Sequence, residues 1–196
     1  MSTPHRTQES RREATRKALM AAARRFFVER GYSATGTPEL VAEAAVTRGA
    51  LYHHFQDKSD LLMAVATDMA FEVAAAVAAS TPPDLPPLQA MRDGSHAYFA
   101  AMAEGGRARV LLLDAPAVLS PAQLAILSEA AGADELRHGL KACLRAGRNA
   151  PVHELGSLLS AAFDRAARAV AEGEDPTPWT AAMDLLVGAV AADLAR

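Results

Sequence analysis

The residues best suited to chemistry lie together, in the run Thr47-Arg-Gly-Ala-Leu-Tyr-His-His-Phe55. If Thr47 caps a short helix there, Leu51 and Phe55 stand four apart and face a core, while Arg48, Tyr52, His53, Gly49 and Ala50 face elsewhere. A guanidinium can fork onto a guanine edge, and a phenol or imidazole can donate to a phosphate. Small residues at 49 and 50 would let the backbone come close to a duplex. Helices starting at Thr37 and Asp57 would aim further amides at phosphates, with Lys58 as a cation beside the second. The bland reading of the same residues is a solvated helix face. A metal pair at His53 and His54 fails on geometry, because helix neighbours point about 100° apart and cannot chelate as i, i+4 residues do. No metal, cofactor or catalytic residue is expected.

Those residues need helices to position them, and the chain supplies signals for about nine. Ser10-Arg-Arg-Glu13 reads as a capping box opening a first helix that Gly31 stops. Thr37-Pro38 starts a second, which ends near Ala44, and Thr47 caps a third. Asp57 and Asp60 open a fourth that runs to Thr81-Pro82-Pro83. A fifth carries Leu88, Met91, Ser95, Phe99 and Met102 and closes at Gly105-Gly106. The sixth, from Arg107, should end before Pro116, since the residue preceding proline avoids the helical region. Ser120-Pro-Ala-Gln123 caps a seventh that Gly132 and Gly139 threaten to divide. The eighth spans Pro151 to Gly173, and the ninth starts at Thr177-Pro178. No alternating run rich in Val, Ile and Tyr argues for a strand. The expected fold is all-α: a three-helix helix-turn-helix domain over residues 1–60 and a helical body over residues 61–196.

Charge divides along the same line. Residues 1–60 hold ten Lys and Arg against seven Asp and Glu, whereas the body holds ten against sixteen, giving the overall −3. A mildly basic head on an acidic body suits an anionic partner for the head alone. Cys143, the single cysteine, demands no oxidising compartment and reads as a small apolar filler rather than a redox sensor. With no signal-peptide pattern and no uncharged apolar run of about 18 residues, the reading is a cytoplasmic protein without a membrane partner.

The span Gly31-Tyr32 through Thr37-Pro-Glu-Leu-Val-Ala-Glu-Ala-Ala-Val-Thr-Arg-Gly-Ala-Leu-Tyr-His-His-Phe-Gln-Asp-Lys58 resembles the N-terminal domain of TetR-type (tetracycline-repressor-like) transcriptional regulators. The resemblance covers residues 10 to 65. It implies that Thr37, Arg48, Gly49, Ala50, Tyr52, His53, His54 and Lys58 contact a double-stranded DNA operator, with Tyr52, His54 and Lys58 mostly at phosphates. It also implies a homodimer and a small-molecule effector bound in the C-terminal helices. One departure stands out: Ala45 occupies the turn where the family usually has Gly, so a left-handed residue there carries a Cβ at a cost of about 1 kcal/mol. The segment Arg109 to Leu119 is similar to one subgroup.

For the body the residues themselves suggest two surfaces. Met69, Met91, Phe99 and Met102, with the polar His96 and His138 nearby, have the composition of an adaptable apolar pocket for an uncharged or weakly charged effector. Apolar stripes on the last two helices, through Leu155, Leu159, Ala162 and Ala166 and through Trp179, Met183, Leu186 and Val190, suggest a dimer interface. Two alternatives stay open on the residues alone: a helical adaptor for a protein partner, and a helical enzyme. Nucleophile-elbow, zinc-protease and phosphate-loop patterns are absent, which disfavours the second.

Overall fold

The computed structural model describes residues 8–196 and contains eleven α-helical segments and one π-helical turn among them, with no strand. The first seven residues of the expected head lie outside the described residues. Helix α1 (Gln8–Arg30) is already helical at Gln8, so Ser10 lies inside it rather than capping it. Gly31, at φ 89°, ends it. Helix α2 (Thr37–Glu43) is capped by Gly36 and not by Thr37: the Gly36 amide donates to Glu39 Oε2 at 3.3 Å. Helix α3 (Arg48–His54) is capped as its sequence requires, with Thr47 Oγ1 accepting from the Ala50 amide at 3.1 Å. Between them Ala45 takes φ 53°, the left-handed value expected of the turn and the only positive φ at a non-glycine among the described residues.

Helix α4 (Lys58–Ser80) starts at the Asp57 cap, whose carboxylate accepts from the Asp60 amide at 2.8 Å. By length and composition it could cross a membrane. Its apolar side, through Leu61, Leu62, Val65, Met69 and Val73, instead forms the centre of the core. Helix α5 (Pro87–Ala103) packs along it.

The next helix contradicts the stop expected at Pro116. Helix α6 (Arg107–Arg109) passes into a π-helical turn over Val110–Asp114 and on into α7 (Ala115–Val118). The Ala115 amide donates to the Val110 carbonyl, one residue further back than in an α-helix. This widening makes room for the proline ring, which has no amide hydrogen to donate to the preceding turn. Gly132, left-handed at φ 110°, does divide the seventh expected helix into α8 (Pro121–Ala130) and α9 (Ala133–Cys143). Gly139 stays helical, and its missing Cβ lets Met91 of α5 approach: a Cβ there would meet the Met91 sulfur at 2.5 Å. The chain closes with α10 (Val152–Ala171) and α11 (Pro176–Leu194), the latter capped by Asp175.

Two hydrophobic clusters result. One runs from Phe27 and Leu19 of α1 through Leu40, Leu51 and α4 to Leu127; the other joins Met91, Leu140, Phe163, Met183 and Val187. Tyr98 and Phe99 touch both, and with Phe163 they form a triangle of rings with centroids 5.4 to 5.7 Å apart.

Candidate nucleic-acid interface

Leu51 and Phe55 are buried in the core where α3 packs on α1 and α2, which fixes the rotation of α3 about its axis. Thr47, Arg48, Gly49, Tyr52 and His53 are thereby left exposed and Ala50 half-buried. The Arg48 guanidinium lies over the Tyr52 ring, 5.6 Å from its centre. Hydrogen bonds from Arg48 and then Thr37 hold the Tyr52 phenol below its ordinary pKa. Thr37 of α2, Arg48 and Tyr52 are thus one constellation. By contrast, Arg24, Arg25 and Arg30 of α1 are engaged with Glu72, Glu43 and Glu39. His54 is half-buried, and burial first, then His53, Arg12 and Arg16, pushes its imidazole toward the neutral form.

Lys58 departs from expectation. Its Nζ donates to the carbonyls of Tyr32 and Thr35, both at 2.9 Å, and sits 4.0 Å from the centre of the Tyr32 ring. It ties down the loop between α1 and α2 and is half-buried there. The other side of that loop is held from the body. The Tyr32 amide donates to Asp114 Oδ2 at 3.1 Å, and the Arg109 guanidinium covers Gly31. A second link joins α1, α4 and α6: Glu72 accepts from Arg24 at 2.8 Å and from Arg107 at 2.9 Å, and the Arg24 contact above all holds its carboxyl below the usual value.

Among the cavities of the body are two of about 510 and 340 Å³. Met91 and His138 line the larger, Met102 the smaller. The other pocket residues expected from sequence are elsewhere. Met69 is wholly buried in the core, because it lies on the inner face of α4. His96 is exposed, and its Nε2 meets Asp184 at 3.0 Å across α5 and α11. Phe99 packs in the ring triangle. What sequence reasoning missed is Ser95 and Asp164. Asp164 interrupts the otherwise apolar inner side of α10, next to Phe163 and two before Ala166, and an acid in that register was the available signal.

The dimer stripe needs the same correction. Leu159, Ala166 and Met183 are buried in this chain's own core, and Leu155, Ala162, Trp179 and Val190 pack against it. Helices α10 and α11 lie on each other and on α5 and α9, which consumes the faces with those side chains. Of the expected set only Leu186 is exposed, and it is joined by Leu158 and Leu185, at 69% and 76% exposure.

Comparison with known proteins bears on both halves of this arrangement. The family model for bacterial regulatory proteins of the tetR family matches residues 19–65, and that for the tetracyclin repressor-like C-terminal domain matches residues 88–192. The chain belongs to the TetR family. Similar along its whole length is the crystal structure of a TetR-family transcriptional regulator from Pectobacterium atrosepticum, 32% identical, covering 96% of this chain and 97% of that one with a TM-score of 0.72. The transposon Tn10 TetC protein of Escherichia coli is 44% identical over 57 residues, 29% of each chain. The HTH-type transcriptional repressor BepR of Brucella suis is 43% identical over 51 residues, 26% of this chain and 24% of its own. Matches to these curated relatives therefore span under a third of their length. The TetR assignment makes the chain a transcriptional regulator with a helix-turn-helix head, not an enzyme.

Proposed function

We propose that this TetR-family protein is a cytoplasmic homodimeric repressor that binds a near-palindromic operator through residues 1–60 and is released by a small molecule bound within residues 61–196. The observation that carries the reading is the exposed Arg48–Tyr52 pair on a helix whose capping and plugging leave that face free, with half-buried Thr37 of α2 beside it. Arg48 reads a base edge in the major groove, Tyr52 and Thr37 meet phosphates, and Gly49 and Ala50 allow close approach. His53 adds a donor beside them. Lys58 acts indirectly, by fixing the loop that seats α2.

Exposed Leu158, Leu185 and Leu186, with Ala161 and Ala189 on the same two helices, form the face across which a second copy packs. Such a two-fold pair sets two recognition helices one turn of DNA apart, about 34 to 36 Å. Release follows when ligand in the body moves the π-helical turn, because Asp114 at its end holds the Tyr32 amide and so the loop ahead of α2. Linkage then requires ligand and operator to weaken each other by one factor, typically about 5- to 150-fold.

Selection from a randomised duplex pool followed by footprinting tests the reading. An enriched inverted repeat protected in two adjacent major grooves is the expected result; no enrichment, or protection of a single half-site, contradicts it. Sedimentation supplies the second arm: a dimer for the wild type and a monomer for Leu185→Glu.

A further inference from the structure

The larger cavity lies among α4, α5, α9 and α10, and its wall is apolar through residues such as Met91, Leu136 and Phe163. The polar groups in that wall are unevenly signed. Asp164 stands within it, Glu135 and His138 at its exposed rim, and no Lys or Arg lines it among the described residues. Asp164 receives one hydrogen bond, from the Tyr98 hydroxyl to Oδ1 at 2.7 Å. A carboxylate has about four lone-pair positions, so most of its accepting capacity is unspent. One helical turn before Tyr98, Ser95 is 97% buried in the same wall, and its Oγ finds no hydrogen-bond partner among the described residues. Left so, Ser95 costs free energy, because burial without a partner forfeits the hydrogen bonds that water would supply.

We propose that this cavity binds a lipophilic primary amine in its ammonium form, with Asp164 as counter-ion, Ser95 as a second acceptor and the aliphatic or aromatic body of the ligand against Met91 and Phe163. The proposal rests on the effector-site reading above and supplies its ligand class. An ammonium brings three donors and one positive charge to a wall that offers acceptors and negative charge. A fatty acid would place a third carboxylate beside two. An alcohol would satisfy one acceptor and leave the charge of Asp164 uncompensated. This replaces the uncharged or weakly charged effector expected from composition, an expectation that followed from the few charges on the pocket-facing helices and passed over Asp164. Burial lifts the Asp164 carboxyl above its ordinary value, against the opposing effect of the Tyr98 hydrogen bond, so the empty wall holds its charge at a cost that an ammonium relieves. Tyr98 and Asp164 also line the smaller cavity, together with Arg165, Arg168 and, from the π-helical turn, Leu111 and Leu112. An amine that takes Asp164 from Tyr98 therefore acts on the partition nearest that turn.

Calorimetric titration of the full chain with decylamine, decanol and decanoate, which share a tail and differ in head group, tests the assignment. Decylamine binding at least tenfold more tightly than either of the others is expected. Asp164→Asn, which keeps an acceptor for Tyr98, should bring decylamine to within about threefold of decanol and leave decanol unchanged. Ser95→Ala should weaken decylamine severalfold and decanol not at all. Decanol or decanoate binding as tightly as decylamine overturns the proposal, and this wild-type series decides the matter even where a variant does not fold. Retained amine preference in Asp164→Asn overturns it as well. The effector reading fails separately: selective decylamine binding that leaves operator affinity unchanged upholds the ligand class and refutes its role in release.

Discussion

Two buried polar side chains, one at each end of the molecule, are finished differently. Thr35, in the loop before α2, is 1% exposed, and its hydroxyl donates to the Gly31 carbonyl at 2.8 Å. Ser95, in the cavity wall, is 3% exposed, and its hydroxyl has no hydrogen-bond partner among the described residues. The head's caps and turn are closed by its own groups, and its loop by Lys58 together with Asp114 and Arg109 of the body, so the outward face of α3 is ready for a ligand that stays outside. The body holds cavities, and the Ser95 hydroxyl in the wall of one points to a ligand that enters. A rigid reader coupled to a deformable receptor can be switched only by moving the reader as a unit, and the contacts of Lys58, Asp114 and Glu72 lie where such movement must pass.

The comparison can be broken by mutation. Phe27, wholly buried in the solid cluster, should cost about 3 to 5 kcal/mol on change to alanine, while Met91→Ala should cost about 2, because its side chain already borders a void. Denaturant melts giving the reverse order would contradict the contrast between solid head and hollow body. Arg48→Ala should lose about 1 to 3 kcal/mol of operator affinity and relax preference at one or two base pairs, with no change in melting. Lys58→Ala should instead destabilise the fold by about 1.5 kcal/mol, the worth of a charged hydrogen bond, and leave the salt dependence of DNA binding unchanged. A salt slope lower by about one would return Lys58 to the phosphates. Thr35→Val should cost about 1 kcal/mol by removing a satisfied hydrogen bond, and Ser95→Ala should be neutral or stabilising. Equal losses in thermal melts would show that Ser95 has a partner after all. Ala45→Gly should stabilise by at most about 1 kcal/mol, since relief of the left-handed turn exceeds the added entropy of the unfolded chain.

Local chemistry was legible in the sequence and distant chemistry was not. The Thr47 cap, the Ala45 turn and the Leu51–Phe55 plug each depend on neighbours within four residues, and each can be read off directly. Even there the Thr37 helix was placed one residue late, because Gly36 and Thr37 are both acceptable caps and only the Glu39 contact to the Gly36 amide separates them. The partners of Lys58 lie 23 and 26 residues earlier in the chain, and no local pattern announces them. Periodicity found the apolar stripes of α10 and α11 but not what covers them: Leu159 and Met183 serve this chain's own core, whereas the neighbouring Leu158 and Leu185 are left outside. Pro116 misled because a π-helical turn just before it absorbs the ring, an accommodation over several residues that a rule about the preceding residue alone does not contain.

The central claim is that the Arg48 face reads DNA sequence, and the most direct test compares selected and scrambled duplexes bound by wild type and Arg48→Ala in the same buffer. The account predicts that the wild type prefers the selected duplex, that both affinities fall linearly with salt on logarithmic axes, and that Arg48→Ala loses about 5- to 150-fold on the selected duplex and far less on the scrambled one. Equal wild-type affinity for the two duplexes, or an equal loss on both in Arg48→Ala, would contradict it.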